Sequence, residues 1–214
     1  MPPFMPSTKL GIFVPSRYQV EGDLAIYCCG MPVMISLLRG VNVGGHNMIK
    51  MEALRTLYES LGMKDVQTYV QSGNVVFRTS ENDTARLTKK IQNGIEKTFS
   101  CKPEIILRST KELEDAITSN PFSKRRDIEP AKLLVLFLAA DPSKQSCEKL
   151  LAIKADPEEL KLNGREVYIY FPNGMGKTKL PWTTIEKVLG TPGTGRNWNS
   201  VTKLLEMARK LEDI

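Results

Sequence analysis

Residues 66–77 read VQTYVQSGNVVF, in which a polar turn separates two apolar runs. β-Branched and aromatic residues lie on both sides of QSGN, which predicts two strands at 66–70 and 75–77. Serine, glycine and asparagine supply the chemistry of a tight turn. The stretch therefore predicts a β-hairpin, and the rest of the first half is organised around it.

The segments on either side of this hairpin extend the pattern. MISLL at 34–38 predicts a strand, and MEALRTLYESLG from Met51 places apolar residues at helical spacing before Gly62 ends the helix. After the hairpin, a helix through Phe99 and a strand at 104–107 are expected. The order β-α-β-β-α-β is the ferredoxin-like, or split βαβ, arrangement.

The chain then repeats much of this order. A strand, a helix, a hairpin around Asn163-Gly164 and two more helices are expected at 133–138, 143–153, 159–171, 182–189 and 199–211. We predict an α+β fold of two tandem ferredoxin-like (split βαβ) halves. The second half is expected as a βαββα variant that ends in helices, without a closing strand. The predicted domains are 34–120 and 121–214.

Residues 1–33 differ from the rest, because they are rich in proline and show no sustained helical or alternating pattern. Too little basic charge precedes their apolar residues for a secretory signal. We predict a poorly ordered extension. An over-long gene start, with Met34 as the biological start, and a genuine regulatory or targeting arm both remain open.

Composition indicates a soluble globular protein, with 41% hydrophobic and 25% charged residues. No apolar run approaches the roughly 18 residues that span a bilayer. The four cysteines form no CxxC pair and no zinc-type spacing, which is typical of a reducing cytoplasm. We therefore expect a cytoplasmic protein without a membrane partner.

Three polar, glycine-marked segments indicate a site: RGVNVGG at 39–45, QSGN at 71–74 and TGRNW at 194–198. Positive charge accompanies them, since residues 34–100 carry nine basic and six acidic groups and residues 161–214 carry nine and five. We expect the segments to converge in space and to bind an anion. A solvated basic surface without function is the alternative.

The first and third segments have specific expected roles. Glycines after a strand can turn backbone N–H groups towards an anion, and Arg39 can add a bidentate grip, although a tight loop needs such glycines as well. In TGRNW, Thr194 or Asn199 is expected to cap the last helix, with Arg196 at the helix entrance. Trp198 can anchor that entrance to the core or stack on a ring.

Nucleotide-binding motifs are absent. The glycines of RGVNVGG do not have GxGxxG spacing, and Gly176-Lys177-Thr178 has Phe171 where a phosphate loop needs glycine. Lys177 can still face a phosphate, or can be a solvated lysine of a connector.

Five ordered segments, LLRGVNVGG, MEALRTLYESLG, TYVQSGNVVF, YIYFPNGMGKTKL and TGRNWNSVTKL, resemble the bacterial domain of unknown function 1697 family. The resemblance runs from Met34 to the last helix. It implies a bacterial α+β protein but no reaction. His46 stands where the family usually has lysine, and TGRNW replaces TARNW.

Three function classes remain open. An anionic small molecule, such as a nucleotide or phosphorylated metabolite, bound between two α+β halves is the first prediction; a nucleic-acid-binding basic face and a metal-independent enzyme using arginine and backbone electrostatics are the alternatives. His46 is the only histidine, and no clustered carboxylates predict a metal. No cofactor and no catalytic residue is assigned. The expected ligand-binding residues are Arg39, Asn42, Gly44, Gly45, Gln71, Asn74, Lys177, Arg196 and Asn197.

Overall fold

A computed structural model describes residues 30–213 of the chain. Most of the predicted N-terminal extension therefore lies outside the described residues. Residues Met31–Ile214 form one compact unit. The first strand begins at Val33, and the carbonyl of Pro32 accepts a hydrogen bond of 3.1 Å from the amide of Thr79. Residues 31–33 thus belong to the folded unit, and the sequence placed the end of the extension too late.

The first half forms a four-stranded antiparallel sheet with the strand order β2-β3-β1-β4. The predicted hairpin is its β2-β3 pair. The elements are β1 (Val33–Leu38), α1 (Met51–Ser60), β2 (Lys64–Tyr69), β3 (Asn74–Arg78), α2 (Thr84–Phe99) and β4 (Ile105–Ser109).

The second half repeats this plan after a connecting helix, α3 (Thr110–Thr118). Its sheet has the order β6-β7-β5-β8, again with antiparallel neighbours. The elements are β5 (Leu133–Leu138), α4 (Lys144–Leu151), β6 (Glu159–Asn163), β7 (Glu166–Tyr170), α5 (Trp182–Leu189), β8 (Gly193–Asn197) and α6 (Trp198–Glu212).

Strand β8 corrects the predicted βαββα variant, because it closes the second sheet by pairing with β5. Its sequence, GTGRN, has two glycines and no apolar alternation, and glycine is depleted in strands. The segment is extended because it pairs with the fully buried strand β5, a tertiary contact that local strand propensity does not predict.

The fold is α+β, and its central core is shared by the two halves. One face of each sheet packs against α3 and α6, through residues such as Ile35, Val135 and Leu204. The opposite face of the first sheet is covered by α1 and α2, and that of the second by α4 and α5. Alternate residues of each strand supply the two faces. The predicted boundary at 120–121 falls between the sheets, and independent folding of the two halves stays a prediction.

The turn between β2 and β3 packs tightly against the end of β1. The carbonyl of Gly73 accepts a hydrogen bond of 2.9 Å from the amide of Leu38. Gly73 has a φ of +68°, and a Cβ atom there would lie 2.8 Å from the Cβ of Leu38. A side chain at this position therefore meets both backbone strain and a collision.

We expect Gly73→Ala to lower the free energy of unfolding by about 2 to 3 kcal/mol, the sum of a left-handed backbone and an overpacked contact. Gly62→Ala is the matched control, because Gly62 has a φ of +88° and a Cβ atom there would have no neighbouring atom within 4 Å. The control isolates backbone strain and should cost about 1 to 2 kcal/mol. Urea denaturation measures both; equal losses would show that the contact with Leu38 costs nothing.

Candidate functional site

A cleft of about 350 Å³ lies where the end of β1 meets β8 and α5. All three polar segments contribute to its lining: the first through residues 39–41 and 43, the second through Ser72, and the third through residues 194–196. The second half adds Trp182 and Glu186 from α5. Arg39 and Arg196 thus line the same cleft although they are far apart in sequence.

Arg196 is buried, and all five of its N–H donors are used. Its Nη2 donates to the carbonyls of Leu38 at 2.8 Å and Ser72 at 3.0 Å, which belong to the first half. Its Nη1 donates to the Thr194 hydroxyl at 2.7 Å and to the Gly195 carbonyl at 2.9 Å, and its Nε donates to Oδ1 of Asn74. Arg196 therefore joins β8 to the ends of β1 and β3.

This position corrects the expectation that Arg196 lies at the entrance of the last helix and outside the core. Asn197, rather than Thr194 or Asn199, caps α6, because its Oδ1 accepts a hydrogen bond of 2.9 Å from the amide of Asn199. The strand β8 carries Arg196 inward before the helix begins. Trp198 is partly buried against the central core, which is the first of its two expected roles.

The charge of Arg196 has no carboxylate partner among residues 30–213, since all its acceptors are neutral oxygens. Burial lowers the pKa of Arg196 to about 10, so that the guanidinium stays protonated at neutral pH. A buried charge is costly unless it is paired. Arg196 is therefore a source of positive potential at the cleft.

Arg39 lies at the rim of the cleft, and its side chain is 36% exposed. Its Nη2 donates to Oε1 of Glu186 on α5 at 2.6 Å. Within the described part of the chain, its Nε and Nη1 make no hydrogen bond with another side chain or carbonyl. Arg39 therefore has donors left for a ligand, while its position is held by the contact with Glu186.

The outer edge of β8 is also directed into the cleft. The amide of Ala139 donates to the carbonyl of Pro192 at 2.9 Å, which fixes the hydrogen-bonding phase of the β5-β8 pair. Opposed residues of antiparallel strands alternate between bonded and non-bonded pairs. The N–H and C=O groups of Gly193 and Gly195 consequently point away from β5, and both residues line the cleft.

The two halves carry a matching arginine. Arg108 of β4 is buried and donates from Nη2 to the carbonyl of Leu138, the last residue of β5, at 2.8 Å. Arg196 of β8 makes the same contact with Leu38, the last residue of β1. The Nε of Arg108 donates to Glu166, the first residue of β7, where the Nε of Arg196 donates to Asn74, the first residue of β3.

The two arginine positions differ in charge. Glu166 forms an ion pair of 3.0 Å with Arg108, whereas Asn74 is neutral. Burial raises the pKa of Glu166, against the attraction of Arg108, and burial lowers the pKa of Arg108. A larger cavity of about 610 Å³, between α2, β4 and Arg165, lies beside Arg108. Of these two cavities, only the cleft beside Arg196 has a buried arginine without a carboxylate partner among the described residues.

Comparisons with known proteins identify the family. Residues 31–168 match the model of a family described as "Protein of unknown function (DUF1697)". The chain belongs to this family. Its fold is similar to a solved structure described as that of the conserved bacterial protein SP0830 from Streptococcus pneumoniae, with a TM-score of 0.69 and 23% identity over 84% of this chain and 99% of that one. No curated protein matches the chain.

The remaining expected site residues of this DUF1697 chain lie outside the lining of the cleft, and most of them hold the backbone. Asn42 donates to the carbonyls of Ile49 and Gln71, and Asn197 donates to the carbonyl of Ala131. Asn74 is buried beneath Arg196. The Gln71 side chain is exposed.

Two glycines and a lysine complete the set. Gly44 and Gly45 have positive φ in an exposed turn, which is closed by a hydrogen bond of 3.0 Å from the amide of His46 to the carbonyl of Val43. Lys177 is exposed in a short 3-10 helix, Met175–Lys177. The glycines thus make a tight loop, the alternative that the sequence left open, instead of a concave donor array in the cleft.

Seven residues of the cleft lie outside the three segments and were missed by sequence reasoning: Leu38, Leu134, Leu136, Met175, Trp182, Glu186 and Gly193. Glu186 occupies an exposed position of an ordinary amphipathic helix, which gives no signal in the sequence. The glycines of GTGRN were visible, but their role depends on the unrecognised strand.

Within residues 30–213, His46 is exposed, and its side chain forms no hydrogen bond with Cys101 or Cys147. No group of three or more His, Cys, Asp and Glu residues there is placed to hold a metal ion. None of the helices in this range has both the length and the apolar character that crossing a bilayer requires.

Proposed function

We propose that this protein binds an anionic small molecule in the cleft between its two halves. The observation that carries the proposal is the buried guanidinium of Arg196, which is hydrogen-bonded only to neutral oxygens. An anion in the cleft would offset this charge, because electrostatic interactions strengthen in a partly desolvated site. A carboxylate or phosphate group is the chemistry that such a site recognises.

Arg39 is the residue we propose for direct contact. Its guanidinium is at the mouth of the cleft, and its Nε and Nη1 have no side-chain or carbonyl acceptor among the described residues. Arg196 acts differently, since its five donors are already engaged and only its charge is available to the ligand. A cleft of about 350 Å³ is within the size range of small-molecule sites.

The exposed edge of β8 supplies backbone donors to the same cleft. The N–H groups of Gly193 and Gly195 face away from β5, and glycine lets a ligand approach the backbone closely. Backbone donors of this kind do not need to reorganise when a charge arrives. An enzyme that stabilises negative charge with arginine and backbone groups would use the same arrangement. Metal-independent catalysis on the bound anion is therefore compatible with the proposed binding site.

We expect the Arg39→Gln variant to bind the ligand at least about ten times more weakly than the unchanged protein does. The reason is that one charge-assisted hydrogen bond contributes about 1.5 to 3 kcal/mol. Thermal-shift screening of acetate, longer carboxylates, sulfate, phosphate and nucleotides on the full chain selects the probe. A ligand at 100 times its dissociation constant stabilises the fold by about 2.7 kcal/mol. Calorimetry then compares the variants.

Arg55→Gln is the matched control for this measurement. Arg55 is a half-exposed arginine on α1 that pairs with Glu59 at 3.9 Å, and neither residue lines the cleft. The control should bind the selected probe as the unchanged protein does. Equal affinities of the Arg39 and Arg55 variants would place the ligand elsewhere, and the absence of any stabilising anion would end the proposal.

We also propose a finer description of the fold and its location. Each half has the element order β-α-β-β-α-β, with the third strand between the first and second, which supports the assignment of both as ferredoxin-like units. A cytoplasmic location is proposed on the cysteine pattern of the sequence. No observation on residues 30–213 favours a nucleic-acid-binding face over the cleft.

A further inference from the structure

The charged residues that line the cleft determine its net charge. Arg39, Arg196 and Glu186 are the charged residues in its lining, and together they carry one net positive charge. Asn74 sets this value, because a carboxylate at its position, like Glu166 at the matching position of the other half, would neutralise the buried arginine. The neutral amide thus keeps one positive charge in the cleft.

One positive charge suits one type of acidic group better than another. A carboxylate carries a single negative charge at neutral pH and balances the cleft. A phosphate monoester carries about −1.5 to −2 and would leave excess negative charge beside Glu186. The cleft is partly enclosed, so such an excess is less screened than it would be on an open surface.

The walls of the cleft are largely apolar. Val41, Leu134, Leu136 and Trp182 are among its lining residues. Leu134 and Leu136 lie directly against the glycines of β8, because Cβ atoms at Gly195 and Gly193 would approach them to 3.1 Å and 3.0 Å. The leucine side chains therefore occupy the space above these glycines, and they form part of the apolar wall of the cleft.

We infer that the ligand is a monocarboxylate bearing an apolar group, with its carboxylate at Arg39 and its apolar part against Leu134, Leu136 and Trp182. This inference rests on the proposed function and narrows it to one ligand class. Glu186 has a second role in it, since its negative charge holds Arg39 in place and keeps dianions out. The charge balance of three residues selects the ligand.

The first test compares four probes on the full chain by calorimetry: 4-methylpentanoate, its uncharged amide 4-methylpentanamide, acetate and inorganic phosphate. The branched carboxylate is expected to bind at least about ten times more tightly than each of the other three. The amide removes the charge, acetate removes the apolar group, and phosphate adds a second charge. Equal binding of the carboxylate and the amide would overturn the inference.

The second test changes the charge count without touching the core. Glu186→Gln raises the net charge of the cleft to two, and the Glu186 side chain is 47% exposed, so the fold should tolerate it. We expect phosphate affinity to rise at least about tenfold and to overtake that of 4-methylpentanoate. Glu59→Gln, which removes the carboxylate of the exposed Arg55–Glu59 pair, is the control and should change neither affinity.

The outcomes separate the inference from the function on which it rests. If no anion of the panel binds the unchanged protein, the proposed function is wrong. If phosphate binds it more tightly than 4-methylpentanoate, and Glu186→Gln leaves that order unaltered, anion binding stands and the monocarboxylate inference is wrong. If the unchanged protein prefers 4-methylpentanoate and only the Glu186→Gln variant prefers phosphate, the proposed function and the monocarboxylate inference are both supported.

Discussion

Replacing Arg196 by methionine is expected to lower the free energy of unfolding by about 3 to 5 kcal/mol. The loss leaves the carbonyl of Ser72 without its guanidinium donor and the carbonyl of Leu38 with only the Thr194 hydroxyl, at 3.5 Å. A buried acceptor without a partner costs about 1 to 3 kcal/mol. The Oδ1 atom of Asn74 loses its donor as well. Methionine also removes the cost of burying a charge, which keeps the total below the sum of the lost bonds.

Urea denaturation measures this change, with Arg55→Met as a control that should stay within about 0.5 kcal/mol of the unchanged protein. The position expected from the sequence, at the entrance of the last helix and not in the core, predicts instead that the fold stays largely intact when the Arg196 side chain is removed. A loss below about 1 kcal/mol for Arg196→Met would mean that the hydrogen bonds between the halves contribute little.

Local patterns predicted most of the fold because each element carries its own signal. The hairpin around QSGN and the helix that Asp83 caps depend on turn and capping chemistry within a few residues. Strand β8 had no such signal, since GTGRN extends only because β5 lies beside it. Because strand β8 was not predicted, Arg196 was expected at the entrance of the last helix and not in the core.

The sequence predicted that three segments converge, but of the nine expected ligand-binding residues only Arg39 and Arg196 line the cleft. Arginine and glycine at the ends of strands indicated convergence, and the three segments do line one cleft. Which polar groups serve the fold could not be predicted, because the acceptors of Arg196 come from Leu38, Ser72 and Asn74, more than 120 residues away in sequence. Sequence spacing holds no information on such contacts.

The two matching arginines show how one position can serve the fold in both halves while the charge beside it differs. Arg108 and Arg196 each tie a closing strand to the last residue of the first strand in the other half. This shared contact holds the halves together. The group that accepts from Nε differs between the two arginines. The carboxylate of Glu166 balances the charge of Arg108, whereas the amide of Asn74 leaves the charge of Arg196 unbalanced. The arginine thus contributes the contact between the halves, and the residue beside it determines whether the buried charge is balanced.

Replacing Glu166 by alanine is the second large prediction, with an expected loss of about 3 to 5 kcal/mol in the free energy of unfolding, because removing one partner of a buried ion pair leaves the other charge uncompensated. Arg108 is 1% exposed and Glu166 is 15% exposed, so solvent offers little compensation. Burial shifts the pKa of both groups towards the neutral form, which indicates that the pair itself returns only part of its desolvation cost.

Glu166→Gln distinguishes the loss of an acceptor from the loss of a charge. The amide oxygen can still accept from Nε of Arg108, as the amide oxygen of Asn74 does from Arg196 in the other half. We therefore expect this variant to lose only about 1 to 2 kcal/mol by urea denaturation. Equal losses for the alanine and glutamine variants would show that Arg108 requires a carboxylate, and that an uncompensated buried arginine is tolerated in this fold only beside the cleft of Arg39.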